Sequence, residues 1–439
     1  MEAEALAREV IAKLRHAGHQ AWLVGGCVRD LLLGSKPKDF DIATDARPDR
    51  IMDLFPNSGR VGAHFGVVLV RNVFAQVEVA TFRSDDDYQD GRRPSAVHFE
   101  ADPRQDVLRR DFTINGLLMD PLTGEVLDTV GGRDDLRCGI VRAIGDPGRR
   151  FQEDHLRLLR AIRFAARLGF EIEPVTFDAI CANHRLIAGV SAERIREELN
   201  RILTEGGARR GFELLDATGL LRVLLPEVAA MKGVAQPPQY HPEGDVWVHT
   251  LLLLEQLERP ACTLAWGALL HDVGKPPTFR IEERIRFDGH VEAGVRLAHG
   301  ILVRLRFSRE ALEEIEALIG NHMRFKDVFH MKDSTLKRFL RLPQFPEHLE
   351  LHRLDCLASH RNLENYRFVK QKLAEYSAEH LKPSRILTGA DLIAAGYSPG
   401  PLFTEILTAV EDAQLEGRVS TLGEALDMVR ERWPRESPG

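Results

Sequence analysis

Near residue 150 the apolar pattern of this chain changes period, and that change limits the architectures open to it. Ahead of it, helix-type and strand-type stretches alternate. "MEAEALAREVIAKLRHAG" has the spacing of an amphipathic helix, "AWLVGG" reads as a short strand ending in glycines, and "CVRDLLLG" as a helix stopped by Gly34. "DFDIAT" reads as a strand, "FGVVLVRNVFAQVEVATF" as two strands joined near Arg71 and Asn72, and "GEVLDTVGG" and "GIVRAI" as short strands around a Gly-Gly turn. Beyond residue 150 strand signals vanish. "EDHLRLLRAIRFAARLGF" has strong helical periodicity, and "SAERIREELNRILTEG" begins on a capping-box pattern at Ser191. Helices are expected from there to the end, interrupted by "GKPPTF", "LPQFPEH" and "YSPGP". A chain of 439 residues exceeds what one core sustains. The expected class is α+β: a head over 1–145, then helical segments over 146–232, 233–365 and 366–439. The breaker-rich "GVAQPPQYHPEGD" marks the boundary at 233, and the end of "ERWPRESPG" is expected to be disordered.

No apolar run approaches the roughly 18 residues that span a membrane, and the N-terminal segment lacks the three-part pattern of a signal peptide. The five cysteines are scattered and never spaced as CxxC, which points to the cytoplasm and away from zinc ribbons or disulfide frameworks. A formal net charge of −7 does not advertise a nucleic-acid binder. The charge is uneven, however. Between Arg137 and Arg167 stand eight arginines against three acids, a local basic stripe able to hold a polyanion.

Side chains alternate across a strand, so Asp39 and Asp41 should share a face. Two carboxylates side by side repel unless a cation lies between them. Mg²⁺ takes oxygen ligands, usually one or two carboxylates plus phosphates. The pair suits a clamp for one or two metals on a nucleoside triphosphate, although solvated acids on an edge strand have the same sequence. Glu78, in "VEVATF", is a third carboxylate if the strands are neighbours. Ahead of the pair, "GGCVRD" is a Gly-Gly turn opening a helix. Free amides at Gly25 and Gly26 can hold phosphate oxygens there, and Arg29 can add charge.

Taken together, "LVGGCVRDLLLGSKPKDFDIAT" resembles the opening motif of the class II tRNA nucleotidyltransferase and bacterial poly(A) polymerase family. "DYQDGRRPSAVHF" resembles that family's flexible loop, "LRRDFTINGLLMD" its ribose- and triphosphate-contacting motif (Arg110, Asp111, Asn115), "DTVGGRDDL" its hinge element and "EDHLR" its EDxxR motif. The likeness reaches "LTGADLIAAGYSPGP", so it covers nearly the whole chain. It implies a polymerase-beta-type head, a mixed sheet with flanking helices, followed by a nucleotide-selecting and RNA-binding neck, an HD-type body and a helical tail. It also implies template-independent addition of CCA to tRNA 3′ ends from CTP and ATP with release of pyrophosphate. Two Mg²⁺ ions held by Asp39 and Asp41, with Glu78 beside them, would serve that transfer.

EDxxR has a physical reading. Asp154 and Arg157, three apart on a helix, should be neighbours. Cytosine and adenine each offer an exocyclic amine beside a ring acceptor. Asp154 can accept from the amine and Arg157 donate to the ring, whereas guanine and uracil present the reverse. An ordinary surface ion pair has the same spacing. At roughly 100° per residue, Arg157, Arg160, Arg163 and Arg167 fall on one arc, opposite Leu158, Leu159, Ile162, Ala165 and Ala166. Arginine without lysine favours a cleft for triphosphate and RNA backbone over a solvated face.

A second constellation lies further on. "ALLHDVGK" resembles the HD phosphohydrolase signature, and His249, His271, Asp272, His290, His322 and Asp355 follow its H…HD…H…H…D order. Imidazole with carboxylate suits a divalent metal that makes a hydroxide nucleophile. The resemblance implies a phosphohydrolase acting on 2′,3′-cyclic or terminal phosphates, unless the site is an inherited scaffold without turnover. Three alternatives share these motifs: an A-adding enzyme, a poly(A) polymerase, and an HD phosphohydrolase whose head only binds nucleotide or RNA. A non-catalytic RNA binder fits less well, because bare carboxylates repel a polyanion.

Overall fold

The computed structural model describes residues 2–60, 66–85, 91, 96–377 and 381–434. Most of "DYQDGRRP" and the end of the tail therefore lie outside the described residues. The chain forms two compact units. One comprises Met1–Ala229, Leu257–Pro260 and Arg304–Arg306; the other comprises Ala230–Gln256, Ala261–Val303 and Phe307–Gly439.

In the first unit, α1 (Glu2–His16) buries Leu6, Ala7, Val10, Ile11 and Leu14 on one stripe. The sheet contains β1 (Ala21–Val24), β2 (Asp41–Thr44), β3 (Ser58–Arg60), β4 (Val67–Arg71) and β5 (Gln76–Thr81). A two-stranded ribbon of β6 (Arg83–Asp85) and β7 (Val97–Phe99) stands apart, while β8 (Leu118–Met119) and β9 (Val126–Leu127) complete the sheet in the order β3-β4-β5-β2-β1-β8-β9. It is mixed: β2 and β5 run parallel and the other neighbours antiparallel. α2 (Gly26–Leu32), α3 (Pro48–Leu54), α4 (Pro103–Leu108) and α5 (Gly132–Cys138) complete the head. α6 (Pro147–Glu153) and α7 (Arg157–Leu168) begin the helical neck, which continues through Pro174–Asn183, Ala192–Thr204 and Ala208–Ala217.

The register explains where the acidic pair ends up. Val24 pairs with Asp41, and Asp41 pairs with Glu78, so the strands beside Asp41 are β1 and β5. The strand starts at Asp41, two residues later than expected. Past Val24 the chain leaves the sheet at Gly25, φ +73°, and enters α2, so on the β1 side Asp39 and Phe40 have no residue to pair with. Alternation survives all the same, since Phe40 is buried while Asp39 is exposed.

Three further expectations are corrected. The helix expected over "EDHLRLLRAIRFAARLGF" is two helices. Asp154 closes α6 in an extended conformation, and its carboxylate accepts the Leu156 amide at 3.1 Å, a side-chain turn that competes with the helix. Strands do not vanish after 150. β10 (Ile140–Val141) pairs with β11 (Glu171–Ile172), and β12 (Arg280–Ile281) with β13 (Ile285–Arg286), each too short to leave a period in the sequence. Ser191 occupies a helix N-cap without a side-chain cap bond; capping boxes occur instead at Thr388 with Asp391 and at Thr421 with Glu424.

The second unit is built on helices. Cys262–Leu270 is apolar all round and buried from Leu264 to Leu270, as befits a central helix. Val246–Glu255, Arg309–Asn321 and Phe345–Ala358 pack against it, and His290–Arg304 belongs to the same unit up to Val303. The C-terminal helices Gly389–Ala394, Pro401–Leu415 and Leu422–Arg432 share a core of Leu392, Ile406, Val410, Ala425 and Val429. No described helix is long and apolar enough to cross a membrane, and no disulfide joins the five cysteines.

Candidate active site and candidate metal centre

A cavity of about 570 Å³ opens in the first unit. Every residue of the head and neck expected from the sequence at the nucleotide site lines it except Glu78: Gly25, Gly26, Arg29, Asp39, Asp41, Arg110, Asp111, Asn115, Asp154, Arg157, Arg160 and Arg163. Glu78 is exposed on the neighbouring strand but acts on the site electrostatically. Burial, then the Glu78 charge, and to a smaller degree Asp39, push the Asp41 carboxyl up to about 6, against the opposing pull of Arg110. Such crowding of hard oxygen donors is what a divalent cation relieves, so the donor set fits one. Arg110 is itself aimed by Asp106, a fully buried carboxylate that accepts its Nε and Nη2 at 3.2 and 2.8 Å. A Cβ on Gly25 would lie 3.2 Å from Arg110 Nη1 and 3.9 Å from Asp41 Oδ2, and the positive φ is what calls for glycine there.

Deeper in, a continuous network sets the floor. Asn115 Nδ2 donates to Asp111 Oδ1 at 3.0 Å, Arg160 donates to Asp111 Oδ2 at 2.6 and 2.8 Å, and Arg29 Nη1 donates to Asn115 Oδ1 at 2.8 Å. Burial raises the Asp111 carboxyl, but Arg160 and Asn115 overcome this and hold it well below the usual range. Arg29 is braced on both sides, for it is buried and also grips Asp30 at 2.6 Å.

The arginine arc of α7 faces the cavity, as the cleft reading expected, but its members are paired. Arg157 donates to Glu153 at 2.9 Å and to the Arg109 carbonyl at 2.8 Å, and Arg163 lies 2.7 Å from Glu198. Asp154 and Arg157 do not share a helix face; the bend between α6 and α7 brings both to the cavity instead. Asp154 also meets Arg194 at 3.2 Å. Sequence reasoning missed Phe164, whose ring lies under Arg29, Arg160 and Arg163 at 5.0, 5.3 and 4.4 Å. Its angle on α7 falls within the arginine arc, which was the available signal. Arg201 and Glu205, from Ala192–Thr204 and its cap, also line the cavity and carried no motif.

Among the described residues, the three His/Asp/Glu groups whose ligand atoms lie within 4.8 Å of one another all belong to the second unit. Two of them contain all six residues of the H…HD…H…H…D order: His249, His271 and Asp355, and Asp272, His290 and His322. His249 Nε2 is 3.1 Å from Asp355 and 3.3 Å from His271 Nε2, and His271 Nε2 is 3.2 Å from Asp272. Nε2 atoms of His290 and His322 are buried without a hydrogen-bond partner. Burial, assisted by His271, holds the His322 imidazole near 4, in the neutral form a metal requires. These unpartnered nitrogens beside two carboxylates fit a divalent ion. The third group, His241, Glu243 and His249, was not anticipated, nor was Lys275, which lies 2.7 Å from Asp272.

Gly274 packs tightly beside this centre. A Cβ there would stand 2.0 Å from the His290 carbonyl oxygen and 2.4 Å from the Gly294 amide, both backbone. Gly274→Ala should destabilise the protein by about 1–3 kcal/mol, the usual penalty of overpacking. Urea unfolding measures this, and a change below about 0.5 kcal/mol would contradict the tight packing.

The poly A polymerase head domain model matches residues 21–142, the model for a probable RNA and SrmB-binding site of polymerase A matches 169–232, and the HD domain model matches 245–395. Against the CCA-adding enzyme of Limosilactobacillus fermentum the chain is 30% identical over 416 residues, 94% of this chain and 93% of that one. The chain belongs to the CCA-adding enzyme family. The CCA-adding enzyme of Bacillus pumilus is 39% identical over 267 residues, an alignment spanning 60% of this chain and 62% of that enzyme. The crystal structure of the Bacillus stearothermophilus CCA-adding enzyme in complex with CTP matches with a TM-score of 0.75 at 28% identity, covering 97% of each chain. Membership in the CCA-adding family accounts for a mixed-sheet head followed by a helical body with an HD domain.

Proposed function

We propose that this chain adds CCA to tRNA 3′ ends from CTP and ATP without a nucleic-acid template. The observation that carries the reading is one cavity lined at once by Asp39 and Asp41, by Arg110 and Asp111, and by Asp154 and Arg157. It joins a cation-hungry end to a base-reading end. In the reaction the RNA 3′-oxygen attacks the α-phosphorus of the incoming nucleotide, the bond to the bridging oxygen breaks, and pyrophosphate leaves. Asp39 and Asp41, with Glu78 behind them, would hold Mg²⁺, which supplies charge neutralisation and activation of the attacking oxygen when bound. Arg110, aimed by Asp106, meets the triphosphate. Gly25 and Gly26 let the backbone approach it. Asp111 and Asn115 face the ribose. Asp154 and Arg157 read the base edge from the α6–α7 bend, with Arg160, Arg163 and Phe164 forming the wall. The partner macromolecule is the tRNA 3′ end, held along the neck.

The finer divisions follow the same reading: a catalytic head over 1–145, a selecting and RNA-binding neck over 146–232, an HD body over 233–365 and a tail over 366–439. In the body, His249, His271, Asp272, His290, His322 and Asp355 would hold a divalent ion for phosphohydrolysis. The cysteine pattern supports a cytoplasmic location. Incorporation of each of four labelled nucleotides into tRNA lacking CCA, with and without chelator, tests the nucleotidyl transfer. The expected result is metal-dependent use of CTP and ATP and rejection of UTP and GTP. Metal-independent incorporation or equal use of all four would overturn it.

A further inference from the structure

Three of the four histidines at the candidate metal centre are oriented by backbone. Nδ1 lies 2.9 Å from the Ala268 carbonyl oxygen in His271, 2.9 Å from that of Phe287 in His290, and 2.7 Å from that of Ile319 in His322. All three stand where a helix begins or ends, and carbonyls there have spare accepting capacity. With Nδ1 so engaged as the N–H, Nε2 is left with a lone pair.

His249 cannot use this device. It sits within Val246–Glu255, where the Asp245 carbonyl accepts the His249 amide at 2.9 Å and the Val246 carbonyl accepts the Thr250 hydroxyl at 2.9 Å. Its Nδ1 instead lies in ion-pair contact, 2.8 Å from Oε1 of Glu243 but out of line for a hydrogen bond, and Glu243 is a side chain only 5% exposed, contributed by the breaker-rich segment before the helix. The same oxygen lies 2.8 Å from Nδ1 of His241. On the other side of the ring, Nε2 faces Asp355 and His271.

We infer that Glu243, buttressed by His241, is a positioning residue of the metal centre: it fixes His249 as the Nδ1–H tautomer and so turns the Nε2 lone pair toward the ion. The carboxylate takes, by its charge, the place beside this first-turn histidine that chain carbonyls take beside the other three. This rests on reading the centre as a divalent metal site. Carboxylates behind a ligand histidine are worth roughly 10–100-fold in metal affinity.

Co²⁺ titration of the full chain, followed by absorption, tests this, because Co²⁺ favours the imidazole-rich centre over the all-oxygen site of the head. Asp272→Asn should abolish tight Co²⁺ binding. Glu243→Ala should weaken it roughly 10–100-fold, and Glu243→Asp should recover part of the loss. In ¹⁵N-histidine spectra of Zn²⁺-loaded wild-type protein, His249 should carry its proton on Nδ1. If Glu243→Ala binds Co²⁺ within about twofold of wild type while Asp272→Asn does not bind, the positioning role is wrong and the metal reading stands. If wild type and Asp272→Asn bind alike, the metal reading fails and takes this inference with it. Should Glu243→Ala not fold, the spectrum decides alone: a proton on Nε2 of His249 overturns the proposal.

Discussion

Asp41→Asn is expected to stop nucleotide addition while making the metal-free protein harder to unfold. Both halves follow from one carboxylate. Asp41 is pressed by Glu78 and Asp39 and is raised to about 6 by burial and by those charges. The electrostatic stabilisation supplied through a bound cation amounts to several kcal/mol, and each ~1.4 kcal/mol is tenfold in rate, so the loss should be about 10³-fold or more. Stability moves the other way. The folded carboxyl titrates above its ordinary value of 3.8, so the folded state binds the proton more tightly than the unfolded chain does. Wild-type protein without metal should therefore gain stability as pH falls from above 6 toward 4, on the order of 1–3 kcal/mol. Asp41→Asn, which carries no charge to relieve, should lack that gain and be the more stable protein at pH 7.5. In the working enzyme proton and cation compete for the same carboxyl, so addition should decline with falling pH and the decline should move to lower pH as the metal concentration is raised. Melting curves in chelator at pH 5 and 7.5 check the stability claim. A variant no more stable than wild type at the higher pH would show that the three acids are not in conflict.

Asp154 is expected to carry much of the choice of base. A site built to hydrogen-bond a partner can reject the mismatched one by about 10⁴–10⁵, because buried groups are otherwise left unpaired. Asp154→Ala removes the acceptor for the exocyclic amine. Single-turnover kcat/KM for CTP and ATP should fall by about 10²-fold or more, and the preference for CTP over UTP should shrink by a similar factor. Asp154→Asn separates reading from structure. The amide retains an oxygen for the Leu156 turn but offers a donor, so it should admit UTP. Asp154 also pairs with Arg194, so Arg194→Ala serves as the control for a purely structural loss: it should slow all nucleotides alike. Unchanged CTP over UTP preference in Asp154→Ala would mean that another group reads the base.

The chemistry of the head was legible because its side chains crowd onto turns beside strand ends. Gly25, Asp41 and Glu78 sit where register puts them; the strand patterns were legible, but that β2 and β5 are neighbours, and in which register, came only with the structure. The bend at Asp154 was not legible. Residues 155 and 156 keep the helical period of their neighbours, and only the carboxylate-to-amide turn reveals the break. The pairing of the arginines was hidden too: Glu198, which neutralises Arg163, is 35 positions further on in a different helix. A helical wheel shows the arc but not the acids that face it. In the second unit the order of histidines and aspartates named six of the eight clustered residues, since each carries its own ligand atom. Spacing says nothing of Glu243 or Lys275, whose roles depend on which neighbour reaches them.

Sequencing the 3′ ends of products tests the central claim most directly. Wild-type protein, CTP and ATP would be incubated with tRNA ending at the discriminator base, with tRNA ending in CC, and with an unrelated RNA. The account predicts CCA on the first, a single A on the second, nothing on the third, and no further growth. Addition of A to the CC end alone, or long A tails on all three, would contradict it.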